Sequence, residues 1–218
     1  MLRISFAAIL LAVLAAPLAA ATDTNAVEFF KELRVKTLEN LPEAFTGELS
    51  GKVISEKLKT IPKEYLTNGQ SPKVEIDWDR RNGFSIHVRN VTSYFTDMYQ
   101  DYSRYLNFAV AVPGQSNDVL LSRYDISFDN SDENIIVLRL AVKGADDASL
   151  LYVNRKTWQI ARMDNVRGKD ILISTIMAYT PLQFNNRNYN VISSFFVKRF
   201  QPQQGRAEAF EIRDIQAH

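Results

Sequence analysis

From residue 45 onward the chain alternates. Phe45, Gly47, Leu49, Gly51 and Val53 share one side of an extended segment, with Thr46, Glu48, Ser50 and Lys52 on the other. That is the two-residue period of a half-buried strand. Its two inward glycines are unusual, because glycine inside a strand marks a bend or a close approach, here of a packed helix or of a ligand. Val74, Ile76 and Trp78 alternate with Lys73, Glu75, Asp77 and Asp79, and the turn Arg80-Arg81-Asn82-Gly83 leads into Phe84, Ile86 and Val88. This predicts a hairpin with one apolar face and Trp78 beside Phe84. Further strands are expected over 124–128, 135–142, 149–153, 158–163, 171–179, 195–200 and 207–215, joined mostly by short polar turns. Successive strands with short connections pair as antiparallel neighbours. Residues 56–72, which hold Pro62, Asn68-Gly69 and Ser71-Pro72, read as a loop, as does the stretch from Pro181 to Asn190.

Two stretches carry a helical period instead. Val27, Phe30, Leu33, Val35 and Leu38 form a stripe over 25–39, with Thr24 as the expected N-cap and Leu41-Pro42 as the stop. Over 93–109 the division is sharper. At about 100° per residue, Tyr94, Phe95, Met98, Tyr99, Tyr102, Tyr105, Leu106, Phe108 and Ala109 occupy one half-circle. Thr96, Asp97, Gln100, Asp101, Ser103, Arg104 and Asn107 occupy the other, so the expectation is one amphipathic helix with an aromatic buried face. Together these patterns predict a mainly β (α+β) domain of about nine strands and two main helices. The architecture expected is one strongly bent antiparallel sheet, or incomplete β-barrel, with helices on or in its concave face.

The first 21 residues stand apart. Arg3 precedes an almost wholly apolar run from Ile4 to Leu14, Pro17 breaks it, and Ala19-Ala20-Ala21 offers small residues to a signal peptidase. This is the layout of a cleavable secretory signal, with the cut expected before Thr22 and a single exported domain over 22–218. The run is shorter than the roughly 20 apolar residues of a membrane span. A lipoprotein signal needs a cysteine, and the chain has none. Without cysteine there are also no disulfides, thiolate metal sites or cysteine nucleophiles. Arg3 is the only charged residue of the leader, so its removal leaves basic and acidic residues equal in number. A nucleic-acid binder needs a basic footprint to neutralise phosphates, and the balance supplies none. The same balance weakens attraction of the whole molecule to anionic lipid.

Candidate chemistry is sparse. Of the two histidines, His87 alternates onto the polar side of its strand near Ser85, and His218 ends the chain. An exposed histidine beside a serine is ordinary surface far more often than a catalytic triad. Asp129, Asp132 and Glu133 cluster at a turn but lack the glycine and closing glutamate of a calcium loop. Asp77 and Asp79 share an outer face and could pose as an acid/base pair, yet carboxylates on a sheet surface usually meet Lys or Arg. No glycine-rich phosphate loop is present. The reading is therefore a non-enzyme with no metal and no cofactor. Functional content sits in the aromatic helix, which either packs as core or lines a pocket for acyl chains. Tyr94, Met98, Tyr102 and Tyr105 on it, with the inward Leu49, Trp78 and Phe84 of the strands, are the candidate ligand-binding residues.

The segment Pro72-Lys73-Val74-Glu75-Ile76-Asp77-Trp78 resembles the proline-led strand of the outer-membrane lipoprotein carrier (LolA/LolB-like) superfamily. Leu150 to Asn154, the turn Arg155-Lys156-Thr157, and Ile160 to Asp164 followed by Gly168 resemble that family's strand, turn, strand and glycine turn. With the leading helix, the likeness covers most of residues 25–180. It implies an incomplete β-barrel capped by helices, enclosing an apolar cavity, and a periplasmic carrier of lipid or lipoprotein acyl chains. Two features depart from the family: Ser71 stands where the carriers have a gating arginine, and the aromatic helix stands where more strand is expected. Two functions follow from these observations. One is a periplasmic lipid or acyl-chain carrier or sensor. The other is an exported, non-catalytic protein-interaction module, with an envelope protein as partner and its core filled by its own helix.

Overall fold

The computed structural model describes residues 23–67, 69–200, 205 and 207–218. The expected signal segment and its cleavage site lie outside the described residues, as do Asn68 and most of the turn before Gly205. Ten strands form one sheet: β1 (Ala44–Ser50), β2 (Lys73–Asp79), β3 (Gly83–Arg89), β4 (Tyr124–Phe128), β5 (Ile135–Val142), β6 (Asp147–Asn154), β7 (Ile160–Arg167), β8 (Asp170–Phe184), β9 (Arg187–Arg199) and β10 (Ala207–Ala217). Every pairing is antiparallel, in the order β3-β2-β1-β10-β9-β8-β7-β6-β5-β4. Two meanders, β1–β3 and β4–β10, are joined by the long-range β1–β10 pair, and the sheet stays open between β3 and β4. The helices are α1 (Thr24–Glu39), α2 (Lys52–Leu58), α3 (Ser93–Thr96), α4 (Gln100–Ala109) and α5 (Asn117–Arg123).

The sheet curves strongly, and α4 shows why. It lies against β3, the first strand in the order, and also against β7, the seventh. Six inter-strand steps in a flat sheet would separate those two by about 29 Å, whereas a helix with its side chains is roughly 10–12 Å across. The sheet must wrap around α4 for both contacts to exist. Helix α1 packs on β4, burying Ala26, Val27, Phe30, Leu33 and Thr37 at helical spacing. Phe29 stacks on Trp158 at 5.0 Å and meets Phe128 edge-on at 5.8 Å. Arg80, in the β2–β3 turn, closes the other end of α1 by donating to the carbonyls of Leu38 and Leu41.

Both sheet ends are covered. At β3, Asn107 of α4 accepts from the Phe84 N–H at 2.7 Å and donates back to the Phe84 carbonyl. Gln100 accepts from the Ile86 N–H at 3.0 Å. Two side-chain amides thus stand in for a neighbouring strand at an edge otherwise open to association. At β4, the Asp23 N–H reaches the Ile126 carbonyl at 3.0 Å.

Several expectations need correction. Asp23, not Thr24, caps α1: its Oδ1 accepts from the Asn25 N–H, and Thr24 is already helical. The first strand ends at Ser50, Gly51 caps α2 and Val53 lies in it, so a helix takes the end of the expected strand and residues 56–58 of the expected loop. The inward glycines leave no room for a ligand. A Cβ on Gly47 would come within 2.8 Å of the Ile212 side chain and 3.1 Å of the Arg213 carbonyl, at a bulge in the β1–β10 ladder. A Cβ on Gly51 would strike the Ala209 carbonyl. Both glycines permit close approach of β10. The stretch 181–190 is not a loop but the end of a long β8–β9 hairpin, turning at Asn185-Asn186 with both residues left-handed (φ 49° and 61°). Trp158 sits in the turn before β7, free to stack on Phe29. The 93–109 helix is broken at residues 97–99 into α3 and α4.

Candidate functional site

The break separates two aromatic groups with different surroundings. Tyr99, Tyr102 and Leu106 point into the concave face and are buried, whereas Tyr94 on α3 is 82% exposed. Tyr94 therefore does not share the buried arc that the helical wheel assigns it. Both halves touch β3, but α3 also meets Tyr65 of the turn Lys63–Tyr65 through Phe95, whereas α4 reaches across to β7 inside the curve. Ser103, expected outside, is buried; its Oγ donates to the Gln100 carbonyl at 2.7 Å, which satisfies the hydroxyl within the helix.

Inside the curve, Tyr102 is the central contact. Its ring lies 4.7 Å from that of Phe210, which stacks on Phe195 at 4.7 Å. The Tyr102 hydroxyl donates to the Glu208 carboxylate, and Arg199 pairs with the same carboxylate at 2.7 Å while lying over the tyrosine ring. Burial and the bond to Glu208 raise the Tyr102 pKa above its ordinary value. The other candidate residues are distributed as follows. Leu49, Trp78 and Phe84 are buried in the core. Trp78 and Phe84 meet at 4.9 Å, as the hairpin pattern predicts, with Phe45 against both and the indole N–H donating to the Pro42 carbonyl. Met98 and Tyr105 are partly buried against that core. Six of the seven candidates thus pack in or against one cluster, and Tyr94 does not join them. The Glu208–Arg199 pair was missed at the level of sequence; the signal available was an inward-facing glutamate in an otherwise apolar alternation, Glu208 before Phe210 and Ile212.

Tyr99 gives a pH-dependent prediction. It is fully buried with no hydrogen-bond partner for its hydroxyl among the described residues. Burial, then the neighbouring Tyr102 and Glu208, push its pKa up to about 12 from 10.0. Below pH 10 both folded and unfolded chains keep this proton, so the group leaves stability level. Between pH 10 and about 12 only the unfolded chain gives it up, and stability falls. Tyr99→Phe should match or exceed wild type by up to about 1 kcal/mol at neutral pH, since it removes an unsatisfied buried group. It should also flatten the alkaline fall. Urea midpoints on either side of pH 10 measure both, and identical alkaline slopes in the two proteins would contradict the burial described.

The remaining polar candidates lie in surface pairs and turns. His87 Nδ1 lies 3.3 Å from Asp97 on the outer surface, and His218 reaches the Thr46 hydroxyl. Asp79 accepts from the Arg81 and Asn82 amides in its turn, while Asp77 pairs with Arg89 at 3.6 Å. Burial, then Glu75, raise the Asp77 pKa. Asp132 is bound by the amides of Ile135 and Asn134, which hold its carboxyl below the ordinary range. Among the described residues no group of three or more His, Asp or Glu is placed to hold a metal, and no helix is long and apolar enough to cross a membrane.

No protein-family model matches this chain, and no curated protein does. Among solved structures, it overlaps a chain from the Pseudomonas aeruginosa MucA/MucB complex at 9% identity and a TM-score of 0.34, over 88% of this chain and 99% of that one. A chain from the crystal structure of MucB in complex with MucA(peri) overlaps at 9% identity and 0.30, over 88% and 98%. A likeness of that size leaves fold and function to be argued from the residues themselves.

Proposed function

We propose that this protein is an exported, non-catalytic interaction module that works through its outer surface, its concave face being filled by its own helix. The observation that carries this reading is Tyr102, 6% exposed and packed between Phe210 and the Glu208–Arg199 pair, in the space a ligand would need. Export rests on the leader of residues 1–21, and the periplasm as its destination on the resemblance to the lipoprotein carriers. Native mass spectrometry of protein from the exported fraction tests both parts. The expected spectrum shows a chain beginning at Thr22 with no co-purifying lipid. A full-length mass sinks the export reading, and retained lipid sinks the filled-core reading.

A second reading, a carrier of lipid or lipoprotein acyl chains, is favoured by one observation. Among the described residues four hydroxyls, those of Thr37, Thr92, Tyr99 and Thr175, are buried without a partner, and those of Tyr99 on the inward arc and Thr175 on β8 are a cost expected of a face that also serves another state. In that reading α4 swings aside without leaving: Leu49, Trp78 and Phe84 line the opened space from the sheet, Met98, Tyr102 and Tyr105 face it from the displaced segment, and Tyr94 stands at its rim. Fatty-acid affinity that rises with chain length, by about 0.8 kcal/mol per buried methylene, would identify the carrier.

A further inference from the structure

The net charge is close to zero, but the lysines are unevenly placed. Residues 52–65 carry four of them, Lys52, Lys57, Lys59 and Lys63, against Glu56 and Glu64. Helix α2 buries Ile54 and leaves Lys52, Ser55 and Glu56 exposed, and Lys59 just past its end is exposed too. Lys59 and Lys63 are exposed and have no ion pair among the described residues. Lys63 opens the short turn that ends at Tyr65, and Tyr65 belongs to a knob of three aromatic rings. Tyr94 lies 4.9 Å from Phe95 and 6.5 Å from Tyr65, and Tyr65 meets Phe95 edge-on at 5.2 Å. Phe95 is packed against the core, while Tyr65 is 39% and Tyr94 82% exposed.

The knob is built rather than frayed. The Thr92 N–H donates to the Tyr65 carbonyl and the Thr67 N–H to the Asn90 carbonyl, each at 2.9 Å, and Leu66 bridges Val91. The two tyrosines are thus held in place before anything binds, so little ordering cost remains. A large apolar group displayed this openly has no role in the core. Its phenol is an apolar body with a polar tip, the chemistry that settles at a membrane–water boundary.

We propose that this corner, Lys59, Lys63, Tyr65 and Tyr94, is a docking surface for an anionic phospholipid bilayer. A bilayer fits better than a peptide. Extended peptides add to free strand edges and helical ones lie in apolar grooves. Here the backbone groups of 65–67 and 90–92 already pair with each other, and the aromatic rings protrude. Lysines near an anionic headgroup layer contribute about 1 kcal/mol each, and the tyrosines insert at headgroup level. The acidic residues at the margin are Glu56, Glu64 and Asp97; Glu56 pairs with Lys52 and Asp97 with His87. This proposal does not depend on what fills the concave face.

The test is co-sedimentation of the exported protein with phosphatidylcholine vesicles, with and without phosphatidylglycerol, at low and high salt. Binding is expected to the anionic vesicles only and to weaken with salt. Lys59→Glu with Lys63→Glu should lower it by roughly tenfold or more, and Tyr65→Ser with Tyr94→Ser should lower it at both salt concentrations. All four side chains are exposed, so urea midpoints near wild type will show that the variants fold. Equal binding to both vesicle types, or binding unchanged by both pairs of substitutions, overturns the proposal. Absence of vesicle binding together with lysine-dependent binding to polyglutamate overturns it in favour of an acidic protein partner.

Discussion

Tyr102→Ala is expected to cost about 3–5 kcal/mol of unfolding free energy, as buried aromatic truncations do. The substitution removes a ring in contact with Phe210, near Tyr99 and Tyr105, and beneath the Arg199 guanidinium. It also takes one hydrogen-bond donor from Glu208, which is itself buried. Tyr102→Phe isolates that second effect. Arg199 still meets the carboxylate at 2.7 Å, so the loss should be only about 1–2 kcal/mol. Urea unfolding of lipid-free protein measures both, with a lower midpoint at unchanged slope expected. A loss below about 1 kcal/mol for the alanine variant, joined to weaker binding of long fatty acids, would mean that the space around Tyr102 was open already. The filled-core reading would then give way to the carrier.

Arg34→Met should cost about 2–4 kcal/mol, because hydrogen bonds to a charged group contribute more than neutral ones. Arg34 lies on α1 and donates to the carbonyls of Ala111, Val112 and Gln115 and to the Asn117 side chain. One guanidinium therefore fastens α1 to the segment that joins α4 to α5. Burial lowers its pKa, yet its charge remains favourable because it faces carbonyl oxygens just beyond the C-terminal end of α4. The fastened segment is strained. Ala111 and Val112 are both left-handed, at φ 55° and 57°, and such conformations persist in non-glycine residues only when the surroundings dictate them. For a β-branched valine the conformation is a true outlier. Without Arg34 the segment should relax and α4 loosen. Faster amide exchange is then expected at Val110 and Val112, whose N–H groups bond to the Leu106 and Asn107 carbonyls. Ala111→Gly, which relieves strain, should recover about 1 kcal/mol. Wild-type exchange rates in Arg34→Met would refute the fastening role.

The hairpin β2–β3, the run from β4 to β10 and the helix α1 were legible along the chain, because their patterns are local. An apolar residue every second position states which side of a strand is buried, and the short polar turns between such runs leave an antiparallel neighbour as the only compact outcome. Trp78 falls opposite Phe84 because three residues, 80–82, separate the paired Asp79 and Gly83. The helices α2 and α5 were not legible. Each spans seven residues, two turns, too short for periodicity to stand above composition and stable only through packing. The tip of the β8–β9 hairpin was hidden by Pro181 and four asparagines, residues that mark loops. Past Ile176, β8 has no β7 partner, and a proline at such an edge sacrifices no ladder bond on that side.

The aromatic wheel of 93–109 identified Tyr99, Tyr102 and Leu106 as inward but could not place the break at 97–99. A wheel records the angle of each residue about one axis and carries nothing about a second. What sets the two axes is the knob at Tyr65 on one side and the curved interior on the other, partners 30 or more positions away in the case of Tyr65 and Phe95. The same holds for the pairing of β1 with β10 and for the meeting of Tyr102 with Glu208, 106 residues apart. The sequence by itself determined which residues must leave water and with what period. Which distant surfaces received them was decided by the tertiary structure, because burial is non-directional and only the complete packed arrangement selects one partner among many apolar ones.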